Sequence, residues 1–366
     1  MDRFAFMIHP IDSSDIARKF SFLKRLPDSI LDKIIYHLPP IKVSEITGIK
    51  SVYDNAEIIG NFLGCTLTSK QMVELPTDTV IDKIIRTGKI AEKLGAKILG
   101  LGAMTSVVGD AGYTVAQNLN IPVTTGNSYT IATAMEGTEK AAEMLDIDIK
   151  GAEVLIIGAN GSIGSVCAQM MARKCGYLTL VSRDVKKLER LSAKILRETG
   201  LAVKISNRPE KAIKKADIII TVTSSVDCVI NPEDLKPGAL VCDVARPRDV
   251  SKRVAELRDD VLIIEGGLVE VPGNVDFNLN FGYPPKLALA CMAETMILAL
   301  EKNWTSYTLG REITIKQADE IHKLGKKHGF KLAGFRSFEK IVKPEVIERV
   351  RYFTKQNTKK QFKVKV

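Results

Sequence analysis

Short, predominantly apolar runs punctuate the middle of the chain, at 154–157, 178–181, 216–223, 239–244 and 261–264. Runs without polar alternation belong to strands covered on both faces, as in a parallel sheet. Each run ends in small or polar residues: Ser182-Arg183, Ser224-Ser225, Ala245-Arg246-Pro247 and Glu265-Gly266-Gly267. Residues 130–145 read as a helix joining two domains ahead of these runs, and 165–173 as a helix after the first of them. Upstream, 4–8 predicts a first strand closed by His9 and Pro10, and the polar residues 12–15 suit the cap of a helix over 16–26. The stretches 41–52 and 56–67 mix β-branched residues with glycine and predict strands and turns. Residues 80–94 carry apolar side chains at helical spacing up to Gly95, and 97–101 predicts another strand. After Gly267 the pattern changes. Residues 271–285 are rich in Gly, Pro and Asn and read as an active-site loop. A nearly all-apolar helix over 286–302 follows, then polar helices over 315–329 and 346–353.

The alternation makes the fold α/β. We expect an N-terminal α/β substrate domain over 1–128 and a Rossmann-type doubly wound parallel sheet over 129–275. The remainder, 276–366, carries the active-site loop, a cysteine-bearing helix and C-terminal helices packing back. The length of 366 residues suits two domains. With 45% hydrophobic and 26% charged residues the chain reads as globular. No apolar run approaches a membrane span, and M-D-R-F-A-F-M-I-H-P lacks a cleavable signal pattern, so a cytoplasmic protein is expected. Six cysteines without a Cys-x-x-Cys pair predict neither a disulfide framework nor a metal site. Cys65, Cys167, Cys175, Cys228 and Cys242 read as buried apolar positions.

A net charge of +10 favours an acidic partner. No zinc-finger spacing or basic-aromatic stripe points to nucleic acid. The end, K-Q-N-T-K-K-Q-F-K-V-K-V from Lys355, reads as a solubilising, poorly ordered tail.

The stretch E-V-L-I-I-G-A-N-G-S-I-G, 153–164, changes the picture most. Strand, glycine turn and helix follow in the order a dinucleotide fingerprint requires. Gly158, Gly161 and Gly164 are spaced three apart, and Asn160, Ser162 and Ile163 lie between them as further cofactor-binding candidates. The helix start offers free N–H groups to a pyrophosphate. A plain strand-to-helix turn is the other reading. The acid that would bind a ribose 2′-hydroxyl is expected about 20 residues on. Ser182 and Arg183 stand there instead, and a guanidinium suits a 2′-phosphate, so NADPH is favoured over NADH. The loops at Ser182, Thr223, Ala245 and Gly266 should rim the cofactor cleft.

Cys291, in L-A-L-A-C-M-A-E-T-M, is the candidate nucleophile. A thiolate can attack a thioester and hold the acyl group until hydride arrives, releasing an aldehyde. On the residues alone, a cysteine in an apolar helix is more often a small core residue. Glu294 lies three positions on, on the same helix face, and suits a proton relay or the cap of a polar pocket. Its charge would oppose a thiolate. Thr125, Asn127 and Ser128 suit a helix cap or an oxyanion site. His9 reads as structural.

Several segments carry a resemblance: T-T-G-N-S-Y-T at 124–130, A-A-E-M-L-D-I-D-I at 141–149, G-A-N-G-S-I-G-S at 158–165, S-R-D-V-K-K-L-E-R-L at 182–191, E-G-G-L-V-E at 265–270 and A-C-M-A-E-T-M-I-L at 290–298. Together they resemble the cyanobacterial long-chain acyl-[acyl carrier protein] reductases, over nearly the whole chain except the basic tail. The resemblance implies that Cys291 is the nucleophile and that Asn127 and Ser128 lie near it. It also implies that Gly158, Gly161, Gly164, Ser182 and Arg183 bind NADPH. The implied substrate is a fatty acyl thioester of acyl carrier protein or CoA, and a basic surface also suits a membrane edge. The loop V-P-G-N-V-D-F-N-L-N-F-G-Y-P-P, 271–285, departs from the family pattern and leaves acyl length and thioester class open. Oligomeric state is open too. Two other readings stand beside this one. The first is a shikimate- or amino-acid-dehydrogenase-like enzyme for a small polar substrate, with Lys89, Lys97 and Asp110 as candidates for its proton-handling pair. The second is an NADP-binding scaffold that docks a partner through its tail.

Overall fold

Strand β1 (Asp2–Ile8) sends Phe4 and Phe6 to one face of a sheet and Ala5 and Met7 to the other, and all four are fully buried. It is buried on both faces because it lies in the middle of the sheet. β2 (Ile41–Lys50) and β3 (Glu57–Gly64) lie on one side of it, and β4 (Leu99–Leu101) and β5 (Val123–Thr124) on the other. β1, β3, β4 and β5 run parallel, and β2 is antiparallel to β3. A computed structural model describes residues 1–12, 28–225, 227–245, 247–338 and 340–364. The helix expected over 16–26 and Arg246 lie outside the described residues.

One face of this sheet is covered by α1 (Thr77–Lys93), whose buried stripe is Val80, Ile84, Thr87, Gly88 and Ala91. The helix ends before Gly95, at φ +76°. The helix Ala290–Leu300 packs against β1 and β4. Gly100 permits this approach, since a Cβ there would sit 2.1 Å from Thr295 Oγ1. Burial of Met296, Ile297 and Leu298 on this helix contributes about 1.5–3 kcal/mol each.

The segment 271–285, expected as a loop, begins as a strand. Gly273–Asp276 pairs antiparallel with β2 and extends the sheet. Beyond it Phe277 and Phe281 pack against Phe62 and each other, and Tyr283 packs against Phe281, with ring centroids 5.2–6.0 Å apart. Backbone pairing and ring packing order a stretch whose composition suggested a loop.

After the helix α2 (Asn127–Met144) the second sheet is wholly parallel: β6 (Glu153–Ile157), β7 (Tyr177–Val181), β8 (Lys204–Ser206), β9 (Ile218–Thr221), β10 (Leu240–Asp243) and β11 (Leu262–Glu265). Its order is β11-β10-β9-β6-β7-β8, the doubly wound arrangement of a dinucleotide-binding domain. The strand order reverses between β6 and β9, and the glycine turn leaves β6 there. Helices α3 (Ser162–Met171) and α4 (Val185–Thr199) follow β6 and β7.

The basic end is helical, over Pro344–Val364, and not a loose tail. Thr354 Oγ1 donates to Gly238 O at 3.3 Å, Arg351 Nε to Met144 O at 2.7 Å, and Lys355 Nζ lies 3.0 Å from Asp146. The lysine-rich composition hid these anchors.

The chain forms two compact units. One is Met1–Tyr129 with Val269–Ile313 and Gln317–Lys331, and the other is Thr130–Leu268 with Thr314–Lys316 and Leu332–Val366. The segment 276–366 is therefore shared between them. Among the described residues no helix is long and apolar enough to cross a membrane, and no cluster of three His, Cys, Asp or Glu side chains is arranged to hold a metal.

Candidate active site

In the second unit the glycine turn is built for close backbone approach. Gly158 has φ +84°, and a Cβ there would lie 2.4 Å from Val222 O across the switch point. A Cβ on Gly164 would lie 2.3 Å from Gly158 O, so the third glycine lets the helix sit on the strand. Gly161 is the N-cap of α3, and Ser162 and Ile163 form its first turn. Side chains are excluded where a pyrophosphate would need room, and the helix start is left for its charge. The residues present therefore fit a bound dinucleotide.

The other rim residues fall at the carboxyl ends of the strands. Asn160 Nδ2 donates to Asp184 O at 2.7 Å and ties the glycine turn to the start of α4. Ser182 N donates to Ser206 O at 3.2 Å, and Arg183 is exposed. Thr223 donates from N and Oγ1 to buried Asp249 at 2.9 and 2.5 Å, and Thr221 Oγ1 reaches the same carboxylate at 2.6 Å. Ala245 N donates to Asp243 Oδ1 at 3.1 Å. Gly266 N donates to Asp243 O at 2.9 Å. Asp243 and Asp249 thus shape this rim. Asp243 lies inside the run 239–244, but nothing in the sequence pattern marked it or Asp249 as a rim residue.

In the first unit, Leu289 is the N-cap of the helix Ala290–Leu300, so Cys291 stands in its first turn and is half-buried. The first turn of a helix favours an anion at sulfur. Gly126, at φ +75°, lies flush against it. A Cβ on Gly126 would sit 2.3 Å from Cys291 Cα and 2.6 Å from its carbonyl oxygen. The T-T-G-N-S motif therefore reaches Cys291 through its glycine.

Glu294 holds this contact together. It is fully buried, and Thr124 Oγ1 and Thr308 Oγ1 donate to its Oε1 at 2.5 and 2.8 Å. Tyr129 N donates to Oε2 at 2.9 Å, and the Gly126 backbone N–H also reaches the carboxyl. Burial outweighs these hydrogen bonds and pushes its pKa above the usual carboxylate range. The shift favours the neutral acid, so the expected charge opposition to a thiolate at Cys291 is weakened. Glu294 bonds the 124–129 turn to the cysteine's helix.

Ser128 Oγ shares a hydrogen bond with Thr308 Oγ1 at 2.8 Å, and Asn127 opens α2. Thr125 Oγ1 is buried with no hydrogen-bond partner among the described residues. The structure thus gathers Cys291, Glu294, Asn127 and Ser128 into one unit and the nucleotide residues into the other. Gly126, Thr124 and Thr308 join the first group. Thr308 carries no sequence signal, because only folding brings it to Glu294.

The remaining candidates separate. Lys89 pairs with Glu92 at 3.0 Å, Lys97 with Asp2 at 2.5 Å, and Asp110 caps Thr114. None of these three forms a lysine–aspartate pair with another. His9 Nε2 accepts from Met104 N at 3.1 Å and Nδ1 faces Pro10 O at 2.9 Å, a structural role. Cys65, Cys167, Cys175 and Cys242 are buried, but Cys228 is exposed, because β9 stops at Thr221 and leaves it in a loop.

The family model for shikimate/quinate 5-dehydrogenases matches residues 139–264. The chain is 34% identical over 264 residues to the aminotransferase PigE of Serratia sp., covering 71% of this chain and 31% of PigE, so it spans about a third of that protein. It is 28% identical over 307 residues to the long-chain acyl-[acyl-carrier-protein] reductase of Synechococcus elongatus, covering 80% of this chain and 87% of that one. Quinate dehydrogenase from Corynebacterium glutamicum, solved with NAD, aligns over 88% of this chain and 99% of its own at 13% identity and a TM-score of 0.36.

Proposed function

We propose that this chain is an oxidoreductase that uses NADPH to reduce a fatty acyl thioester to an aldehyde, through an acyl group held on Cys291. The observation that carries the reading is a half-buried thiol in the first turn of a helix, backed by Gly126 and a carboxyl that burial drives toward neutrality. The relation to a long-chain acyl-[acyl-carrier-protein] reductase over most of both chains supports the substrate class.

In this reading Cys291 Sγ attacks the thioester carbonyl, and the tetrahedral oxyanion collapses with departure of the carrier thiolate, leaving a new thioester on the enzyme. Backbone N–H groups at the helix start would stabilise charge developing at this position. Glu294 fixes the 124–129 turn so that Cys291 does not shift during attack. Gly158, Gly161 and Gly164 would hold the pyrophosphate of the dinucleotide, and Ser182 and Arg183 its 2′-phosphate. A bound dinucleotide supplies the hydride that turns the captured acyl group into an aldehyde.

The test is NADPH oxidation with a panel of acyl thioesters, together with intact-protein mass spectrometry without cofactor. An acyl adduct is expected on the unaltered protein and none on Cys291→Ala. Aldehyde formation at normal rate by Cys291→Ala defeats the proposal. The match to the shikimate/quinate dehydrogenase family favours a second reading, hydride exchange with a small polar substrate and no covalent step. Turnover of small keto or amino acids with NADP, and of no thioester, would establish it instead.

A further inference from the structure

The crossover from β8 to β9 contains only the one-turn helix Glu210–Ile213. In a doubly wound sheet this connection ordinarily lays a longer helix over the outer strands. Here part of that face stays open, as a groove of about 320 Å³. Leu155, Thr179, Ala212 and Ala216 line its interior, and the exposed side chains of Lys204, Arg208, Lys211 and Lys215 lie around it. Glu153 lies 3.8 Å from Lys204. Among the described residues Arg208, Lys211 and Lys215 have no carboxylate partner. The groove runs along the first residues of β6 and β8, Glu153 and Lys204, whereas the nucleotide crevice lies beyond the carboxyl ends of the strands.

We propose that this groove docks an acidic helix of a carrier protein that brings the thioester. The inference rests on the thioester reading above. A largely apolar interior ringed by four cations, three of them without a carboxylate partner among the described residues, matches an amphipathic helix with carboxylates flanking an apolar stripe, which would fill the space the short crossover leaves. A small anion would need a buried cation, and all four here are exposed. A flat bilayer cannot enter a concavity. Rim cations of this kind act mainly on encounter rate and partner choice, so they discriminate carriers more than they alter chemistry.

The experiment compares the unaltered protein with a Lys211→Glu/Lys215→Glu double variant. Both positions are exposed and away from the glycine turn, so the fold and NADPH binding should be retained. Binding of fluorescently labelled acyl carrier protein is measured by anisotropy, and turnover is measured with the same acyl chain on acyl carrier protein and on CoA. The expected result is a roughly tenfold weaker carrier affinity and a matching rise in KM for the carrier-borne substrate, with a flatter salt dependence and little change for acyl-CoA. Equal carrier binding by both proteins, or none by the unaltered protein, overturns the proposal. So does loss of binding to anionic phospholipid vesicles with carrier turnover untouched. Carrier binding that weakens in the variant while no thioester is reduced would instead defeat the thioester reading and leave the docking surface standing.

Discussion

Replacing Glu294 by alanine and by glutamine should give opposite outcomes. Alanine leaves the backbone N–H groups of Gly126 and Tyr129 buried without an acceptor, while the Thr124 and Thr308 hydroxyls can turn elsewhere. Each orphaned donor costs about 1–3 kcal/mol, and the space left adds to this, so Glu294→Ala should lose about 3–5 kcal/mol. Glutamine resembles the neutral acid. Its oxygen can take the Tyr129 side and its NH2 can donate to the two threonine hydroxyls, so the loss should stay within about 1 kcal/mol. The pH dependence follows from the sign of the shift. Glu294 is raised above its ordinary 4.5, so the folded state holds the proton more tightly than the unfolded chain. Its contribution is complete below pH 4.5 and is lost as pH climbs through the folded value, at about 1.4 kcal/mol per unit within that window. Glu294→Gln has no such loss and should gain on the unaltered protein as pH rises from 4.5. Urea midpoints across pH 4.5–8 for the three proteins measure this. Alanine and glutamine variants of equal stability, or a difference from glutamine that stays flat with pH, would refute the account of a buried, proton-favouring acceptor.

Four further outcomes are expected. Gly126→Ala combines strain at positive φ with overlap on Cys291 Cα, and should lower stability by about 2 kcal/mol or more and change the rate of Cys291 alkylation; unchanged values would contradict the contact. Arg183→Ala should weaken NADPH about 10- to 100-fold by fluorescence titration while sparing NADH. Asp249→Ala strands the Thr223 N–H and should cost about 2–4 kcal/mol in a urea melt, with Asp249→Asn milder. Burial pushes the Cys65 thiol up to about 12 and Cys175 up to about 11, so brief iodoacetamide treatment at about pH 8 should label exposed Cys228 and half-buried Cys291, and these two only after unfolding.

The sequence exposed what double burial writes into it. β6, β7, β9, β10 and β11 were legible because strands covered on both faces are largely apolar. β8, K-I-S, was not, because an edge strand with partly open faces has no such run. Gly273–Asp276 was hidden for a different reason. It pairs with β2 through its backbone, and a Cβ on Gly48 would sit 2.1 Å from Asn274 O, a fit that no propensity encodes. The glycine turn could be read because its residues are contiguous. The surroundings of Cys291 could be read only in part. T-T-G-N-S and A-C-M-A-E were visible as segments, but their meeting, and the arrival of Thr308, depend on contacts across more than 160 positions of chain.

Gly126 meets atoms of Cys291 that every residue except glycine possesses: the α-carbon, the β-carbon and the carbonyl oxygen. On the thioester proposal, the glycine therefore answers to architecture and the sulfur to chemistry. In a descendant that abandoned catalysis, selection could release the thiol while the glycine stayed. The two positions together would record, in any lineage, whether a copy of this protein had retired from its reaction or only changed its clientele.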